Sequence, residues 1–394
     1  MTEKGVFQRS RDFMGGMIKG KVNIAVLGLG WWGSKLLRNF SVNPQVSKIY
    51  GCDPWAARQE EMAIYPNVVL HEDPKRVLEM PDVDGVVIAT PPPTHFELAK
   101  AAFAAGKHVL MTKPPTQTLA ELEILVEMAE KHRLVFMMDS TFVYCDPVRK
   151  IRELLNEGLF GEIGFVQSLR YGNDFRFHHI SRLKTTMLDQ GTDVIRDLFF
   201  HDAAILTYLF PNETFAPVAV HRLFSISKTL CDTAMIRLES QRLPVHVGGD
   251  TDNIPLNAQR VPAHVGCDTP MIGLELQRFP VHVGHDTAKL PLERQHFPVH
   301  VGLSWTLPER RRELLIADGQ QQLIFDDLAP EKKLTLFKIE KQEETALPHG
   351  SGEPLANVVD HFLMCIRARQ RPLTDGRFML KVMKLFESAL HFKQ

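Results

Sequence analysis

Apolar and polar residues alternate in blocks through the first part of the chain, in a way that predicts strands separated by helices. Four apolar runs have the length of buried strands, and they are Val22–Leu27, Val83–Thr90, Val109–Met111 and Val135–Met138. The segments between them have helical periodicity, and the one after Thr118 carries Glu121 at the position of a capping box. Alternating strands and helices are typical of a parallel sheet with helices on both faces. We therefore predict such an α/β domain over residues 21–145.

The turn after the first predicted strand has a glycine pattern suited to phosphate binding. Gly28-Leu29-Gly30-Trp31-Trp32-Gly33 has the spacing that combines a tight turn, close approach to a pyrophosphate and close helix packing. Asp53 ends the next apolar run, where its carboxylate can accept both ribose hydroxyls and disfavours a 2′-phosphate. A glycine-rich turn without a ligand is the alternative. We predict a dinucleotide site that prefers NAD over NADP and uses Gly28, Gly30, Trp32, Gly33 and Asp53.

Two further segments follow strands and therefore lie at the sheet edge where ligands bind in such folds. Thr90–His95 ends one strand, and Thr112–Pro115 ends the next. Lys113 in the second segment could hydrogen-bond a substrate hydroxyl and stabilise its developing negative charge. A solvated surface lysine is the alternative. The residues expected beside the cofactor are Thr90, Pro91, His95 and Lys113.

Composition and charge narrow the class of protein. The chain has 394 residues, 44% of them hydrophobic, which is enough for two domains with full cores. Its net charge of −1, without a long basic run, argues against nucleic-acid binding. No apolar run approaches the roughly 20 residues of a membrane span, and residues 1–20 read as a loose polar leader. Five scattered cysteines fit a reducing cytoplasm, so we predict a cytoplasmic protein without a metal site.

Several motifs, taken together, resemble one family. They are the glycine turn, Thr90-Pro91-Pro92 with His95, Lys113-Pro114, and Asp197 with His201-Asp202. These motifs are similar to those of the Gfo/Idh/MocA oxidoreductases, among them glucose–fructose oxidoreductase and inositol dehydrogenase, and look closest to members that act on nucleotide-linked sugars. The resemblance implies a Rossmann domain followed by an α+β domain over residues 146–394. That second domain would have an open, mostly antiparallel sheet and support a homo-oligomer.

The same resemblance implies roles for individual residues. His201 would take the proton of a sugar hydroxyl while NAD receives the hydride, with Asp197 orienting His201 and Lys113 steadying the oxygen. Asp197 and His201 are four residues apart, which places them on one face of a helix; a structural hydrogen bond is the alternative. Thr112 stands where the family usually has glutamate, so the lysine lacks its usual acidic neighbour. The expected substrate contacts are Tyr144, Arg170 and Asn173.

A tandem repeat interrupts the second domain. Four units of 18 residues follow one another over residues 231–302, and each reads as two short strands, with a turn predicted at Ser240-Gln241-Arg242 in the first unit. Six extra strands in the host sheet would displace the next strand by roughly 29 Å. We therefore expect the added units to project as a separate hairpin stack or small closed β-structure. The recurring histidines could bind a row of metal ions, a metal ladder, but we prefer to interpret them as copied surface or half-buried residues; they are His246, His264, His282 and His300.

The end of the chain predicts strands and two closing helices, and two functions remain open. Arg310–Ile316 and Gln322–Phe325 have strand patterns, residues 330–347 read as a strand and loop, and amphipathic helices at Pro354–Arg369 and Gly376–Phe392 should pack on the first domain. The first function is an NAD-dependent dehydrogenase that acts on the CH–OH group of a sugar or polyol, the sugar being nucleotide-linked. The second is a non-catalytic assembly or binding protein in which the repeat block is the functional part.

Overall fold

The structure of this chain, a computed structural model, describes residues 20–172, 193–224, 231–242 and 296–393. Several predictions fall outside these residues, namely the leader, the substrate contact of Asn173 and the hairpins of the central repeat units. The metal ladder cannot be followed there either, because only His300 among the recurring histidines is described.

The first domain is built on a six-stranded sheet in which every pairing is parallel. Its strands are β1 (Val22–Leu27), β2 (Val46–Cys52), β3 (Val68–His71), β4 (Gly85–Ile88), β5 (His108–Met111) and β6 (Phe136–Met138). Its helices are α1 (Trp31–Ser41), α2 (Ala56–Met62), α3 (Pro74–Leu78), α4 (His95–Ala104) and α5 (Leu119–His132). Two short 3₁₀ turns lie at Pro92–Thr94 and Thr141–Tyr144. The predicted α/β architecture is confirmed, and β1 has the predicted bounds.

The strand order of this sheet places its crevice at the glycine turn. The order is β3-β2-β1-β4-β5-β6, so successive strands are added to one side of β1 up to β3 and to its other side from β4 onward. Ligands of such sheets bind at the carboxyl ends of the strands on either side of this switch point.

The capping box predicted for α5 is also present. The Thr118 hydroxyl accepts from the backbone N–H of Glu121, and the Glu121 carboxylate accepts from the backbone N–H of Thr118.

The second domain contains an eight-stranded sheet with the order β14-β13-β12-β11-β7-β10-β9-β8. Its strands are β7 (Phe165–Tyr171), β8 (Glu213–Leu223), β9 (Thr233–Arg242), β10 (Pro298–Ser304), β11 (Arg311–Ala317), β12 (Gln321–Asp326), β13 (Leu334–Lys338) and β14 (Glu343–Ala346). Only β7 and β10 pair in parallel among these described strands, so the predicted mostly antiparallel sheet is confirmed. Residues 330–347, predicted as a strand and loop, form two strands, β13 and β14.

Helices connect the two sheets. They are α6 (Asp146–Asn156), a π-helix at Ile195–Phe199, α7 (Phe200–Leu209), α8 (Pro354–Ala368) and α9 (Gly376–Leu390). The ring of Phe362 on α8 lies edge-on to that of Phe40 on α1, and Phe386 on α9 lies edge-on to Phe200 on α7. The closing helices therefore contact both domains. None of the helices described here is long and apolar enough to cross a membrane.

Strands β9 and β10 join the two ends of the repeat block. Thr233 to Glu239 of the first unit pair with Ser304 to Pro298, so the first strand of unit one lies against the second strand of unit four. The backbone N–H of Ser240 donates to the Phe297 carbonyl at 3.1 Å, and the Phe297 N–H donates to the Ser240 hydroxyl at 2.8 Å.

The turn predicted at Ser240-Gln241-Arg242 is wrong. Strand β9 continues through Arg242, which pairs with Glu213 at the start of β8. The sequence pattern suggested a turn because polar residues interrupt the alternation there. The neighbouring strand β8 is 11 residues long and supplies backbone partners that keep this segment extended.

Candidate active site

The glycine turn has the geometry of a phosphate cradle. Gly28 has φ +86°, and a Cβ there would lie 2.7 Å from the Ala89 carbonyl oxygen. A Cβ on Gly33 would lie 1.8 Å from the Gly28 carbonyl oxygen, so helix α1 can pack against the turn only with glycine. At Gly30 the nearest atom to such a Cβ is 3.9 Å away, and Gly30 is also the N-cap of α1. Open space at a helix N-terminus fits a pyrophosphate.

Asp53 lies at the end of β2 beside this turn. It is 1% exposed, and its Oδ2 accepts from the Leu29 backbone N–H at 2.8 Å. Arg58 Nη1 approaches the same Oδ2 at 3.2 Å, and its guanidinium lies over the Trp55 ring. The acid is therefore held where an adenosine ribose would bind, but its charge is partly balanced by Arg58.

His95 joins the two predicted strand-end segments. It is fully buried, with Nε2 2.8 Å from the Thr90 carbonyl oxygen and Nδ1 2.9 Å from the Pro114 carbonyl oxygen. Burial lowers the pKa of His95. A ring enclosed in this way supports the backbone of both segments and has no surface for direct cofactor contact. Thr112 is also buried, and its hydroxyl donates to the Ile88 carbonyl.

Trp32 of the glycine turn contacts an acid that the sequence patterns did not indicate. Its indole N–H donates to Oδ2 of Asp139, which follows β6, and the Thr141 hydroxyl donates to Oδ1 at 2.8 Å. Burial raises the pKa of Asp139. A single aspartate after a short strand belongs to no recognisable motif, so the sequence did not indicate it. The packing of the sheet brings Asp139 next to the glycine turn.

Lys113 and Asp197 bring the two domains together. The ammonium of Lys113 lies 3.0 Å from Asp197 Oδ1 and 2.7 Å from the Asp197 carbonyl oxygen. The Trp305 indole N–H donates to the other carboxylate oxygen at 3.1 Å. The Lys113 and Asp197 side chains are 26% and 25% exposed, so both remain accessible to a small molecule. The acid missing at Thr112 is supplied here by the second domain.

His201 lies next to this pair, but the expectation that Asp197 orients it is not supported. The described side-chain bonds of Asp197 go to Lys113 and Trp305. Asp197 lies in the π-helix, whose wider turn removes the one-turn alignment of residues four apart. The His201 ring instead lies edge-on to Phe142 at 5.2 Å. Burial lowers its pKa well below the usual value, and three nearby positive charges lower it further, those of Lys113, Arg170 and Arg312.

The predicted substrate residues occupy different environments. Arg170 is buried in an ion pair with Asp202 at 3.2 Å, and its guanidinium lies 4.3 Å from the Phe142 ring centroid. Tyr144 is fully buried, and its hydroxyl lies 2.9 Å from the Thr374 hydroxyl oxygen. This burial argues against a substrate contact for Tyr144, whereas Arg170 lies beside the ring that contacts His201.

Metal binding gains no support from the part of the chain that the structure describes. No group of three or more metal-ligating side chains occurs among those residues. His300 lies on β10, with its ring edge-on to Phe165. At this one position, the recurring histidine packs against an aromatic ring of the neighbouring strand.

Comparison with known proteins identifies the class of the first domain. Residues 22–140 match the Gfo/Idh/MocA family model, described as an oxidoreductase family with an NAD-binding Rossmann fold. Together with the glycine turn and the strand order, this match makes the first domain a Rossmann domain of the NAD(P)-binding kind found in oxidoreductases.

Individual relatives are similar over different lengths. A 1-carboxy-3-chloro-3,4-dihydroxycyclohexa-1,5-diene dehydrogenase of Comamonas testosteroni is 28% identical over 190 residues, which are 48% of this chain and 47% of that protein. The chain thus spans less than half the length of the curated relatives it matches most strongly.

Two solved structures cover nearly the whole chain. The UDP-N-acetylglucosamine 3-dehydrogenase of Acidithiobacillus ferrooxidans has a TM-score of 0.66 at 20% identity and covers 94% of this chain and 96% of that one. A 3-ketoreductase of Actinomadura kijaniata, solved with NADP and TDP-benzene, has a TM-score of 0.69 at 14% identity and covers 94% and 97%. At these identities the likeness supports the two-domain fold.

Proposed function

We propose that this chain is an NAD(P)-dependent oxidoreductase that interconverts a secondary hydroxyl and a ketone on a sugar, the sugar being linked to a nucleotide. The observation that carries this proposal is the ion pair between Lys113 of the first domain and Asp197 of the second, with His201 near enough for the ammonium to lower its pKa. Lys113 lies just after β5, at the carboxyl end of a strand of the parallel sheet. The glycine turn fits a dinucleotide.

Each side chain has a task in such a reaction. The bound nicotinamide would exchange a hydride with the carbon of the substrate. His201, with its lowered pKa, is neutral at neutral pH and can accept the hydroxyl proton. Lys113, paired with Asp197 at 3.0 Å, can donate a hydrogen bond to the same oxygen and stabilise its negative charge. In this scheme Asp197 accepts a hydrogen bond from the Lys113 ammonium and so holds Lys113, not His201, in position.

The choice of cofactor rests on two opposing groups. Asp53 disfavours a 2′-phosphate, which supports NAD. Arg58 is paired with Asp53 and is partly exposed, so it could contact a phosphate at that position. We retain NAD as the preferred cofactor, and NADP as the second candidate.

Nucleotide-linked sugars are proposed as substrates because the similar solved structures include proteins whose names or ligands contain UDP- and TDP-linked groups. Arg170 and Arg312 lie close enough to His201 to affect its pKa, which adds positive charge near the site. A cytoplasmic location and assembly into a homo-oligomer stay predictions.

The test begins with cofactor binding and continues with turnover. NADH and NADPH are titrated onto the purified chain by nicotinamide fluorescence, and turnover is then measured with a panel of UDP- and TDP-linked sugars. We expect tighter binding of NADH and turnover with at least one sugar. Lys113→Met and His201→Asn should each lower kcat by about 100-fold or more while cofactor affinity is retained.

Two exposed neighbours on α5 supply the controls. Lys131→Met and His132→Asn make the same chemical changes far from the site and should leave kcat unchanged. Cofactor binding without turnover across the panel would favour the assembly or binding function instead. Failure to bind either dinucleotide would contradict both the proposed reaction and the role of the glycine turn.

A further inference from the structure

The Asp197 carboxylate uses its two oxygens for two different partners. Oδ1 accepts from the Lys113 ammonium, and Oδ2 accepts from the Trp305 indole N–H. A carboxylate bound on both oxygens cannot rotate about its terminal torsion without breaking a bond. The indole therefore restricts the direction from which Asp197 faces the lysine.

Trp305 is itself firmly placed. It is 5% exposed and follows directly after β10. Its backbone N–H donates to the Asp232 carbonyl at 2.9 Å, which ties it to the start of β9. An indole has only two side-chain torsions, so little freedom is left once its backbone and N–H are held.

The first domain offers no acid beside the lysine to take over this task. The residue before Lys113 is Thr112, and its hydroxyl donates to the Ile88 carbonyl. Lys113 thus depends on an acid that arrives with the second domain. If the Asp197 carboxylate could rotate, the position of the Lys113 ammonium would be less well defined.

We propose that Trp305 is a positioning residue, which orients Asp197 so that Lys113 is held toward the substrate oxygen. This inference rests on the proposed oxidoreductase function. It also connects the repeat hairpin with the active site, because Trp305 is the third residue after the last repeat unit. The corresponding positions after the other three units are threonines, Thr251, Thr269 and Thr287.

A double-mutant cycle tests the role of Trp305. Trp305→Phe keeps the ring and removes the N–H, and we expect kcat to fall about tenfold, since a hydrogen bond to a charged group is lost. The KM for the sugar and the affinity for NADH should change by less than about threefold. In the Asp197→Asn background, the same Trp305→Phe change should lower kcat by less than about twofold, because the carboxylate on which Trp305 acts is gone.

A merely structural tryptophan gives a different result. If Trp305 had only a structural role, Trp305→Phe would lower the thermal stability of the chain. It would also lower kcat by the same factor with Asp197 present and with Asp197→Asn. That outcome would overturn the proposal. An unchanged kcat for Trp305→Phe in the otherwise unaltered chain would overturn it as well.

The contact also has a readout that does not need turnover. The chain has four tryptophans, so ¹⁵N-labelled protein should give four indole signals, and the one missing in Trp305→Phe belongs to Trp305. Asp197→Asn should shift this signal and leave the other three in place. If it does not move, Trp305 does not hold the carboxylate and the proposal fails. If the unaltered chain shows no turnover, the proposed function fails, while the indole signal still decides whether the contact exists.

Discussion

The glycine turn and the repeat hairpin show two different ways in which a sequence specifies structure. In the turn, Gly28 and Gly33 are required by local sterics, since a Cβ on Gly33, for example, would meet the Gly28 carbonyl oxygen at 1.8 Å. In the hairpin, β9 has four nearly identical segments along the chain that could pair with it, and local sequence does not distinguish them. The turn is therefore encoded where it forms, whereas the pairing of the hairpin is decided elsewhere.

The residues that follow the fourth unit differ from those that follow the other three. The Ser304 hydroxyl lies 2.8 Å from the Thr233 hydroxyl, and Ser304 is fully buried near the equally buried Asp232. After the other units, the position of Ser304 is taken by an aspartate, and these residues are Asp250, Asp268 and Asp286. Pairing β9 with one of those units would bury a second carboxylate close to Asp232, which is costly without a compensating charge. Only the fourth unit avoids this cost.

The largest expected effect comes from the turn. Gly33→Ala should destabilise the chain by about 3 kcal/mol or more, because the new methyl group meets backbone that cannot move aside. Thermal or urea unfolding measures this loss. Gly30→Ala is the matched control, since its Cβ has open space. It should change stability by less than about 0.5 kcal/mol and still weaken NADH binding by about tenfold, where pyrophosphate would approach. Equal stability losses for both variants would contradict the steric explanation.

Replacing Ser304 tests the hairpin in the same way and should have a somewhat smaller effect. Ser304→Asp reproduces the residue that follows the other units and should cost about 2–3 kcal/mol, since an acid is buried beside Asp232. Ser304→Ala removes only the hydroxyl bonds and should cost about 1 kcal/mol. Urea unfolding of the two variants measures both. A Ser304→Asp variant as stable as the unaltered chain would show that this position does not select the pairing strand.

The smallest effect is expected from removing the extra units. Deleting residues 243–296 joins Arg242 to Phe297 and leaves the two bonds between Ser240 and Phe297 within a four-residue turn. Stability should be kept or raised by up to about 2 kcal/mol, because the chain that links two paired strands is shortened, and kcat/KM should stay within about twofold. Unfolding curves and steady-state kinetics measure these quantities. Loss of NADH binding would mean that the repeat block belongs to the functional part.

A second deletion sharpens this test. Removing residues 249–302 gives the same chain except that Leu243 replaces Phe297. The Phe297 ring lies 5.1 Å from that of Phe210 and 6.2 Å from that of Phe215. This deletion should therefore be less stable than the first by about 1 kcal/mol. If the two deletion variants were equally stable, the ring of residue 297 would not pack against Phe210 and Phe215 as described.

The active site lies between the glycine turn and the repeat hairpin in how far local sequence predicts it. The lysine at the end of β5, the aspartate and the histidine were recognisable as motifs, and so was the acid at the end of β2. Their mutual contacts were not, because Lys113 and Asp197 are 84 residues apart and Asp197 and Trp305 are 108 apart. The π-helix at Ile195–Phe199 also changed which neighbour Asp197 meets. Spacing arguments assume a regular helix, and this segment is not one.

Sequence alone determined the parallel sheet of the first domain, the glycine turn, the capping box of α5 and most strands of the second domain, because these features depend on hydrophobic period and on steric limits within a few residues. Tertiary structure decided that Asp197 holds Lys113, that Asp139 meets Trp32, that Tyr144 lies in the core, and that β9 pairs with the fourth repeat unit. Such contacts join residues far apart in the chain, and their energies exist only once the strands and helices have packed.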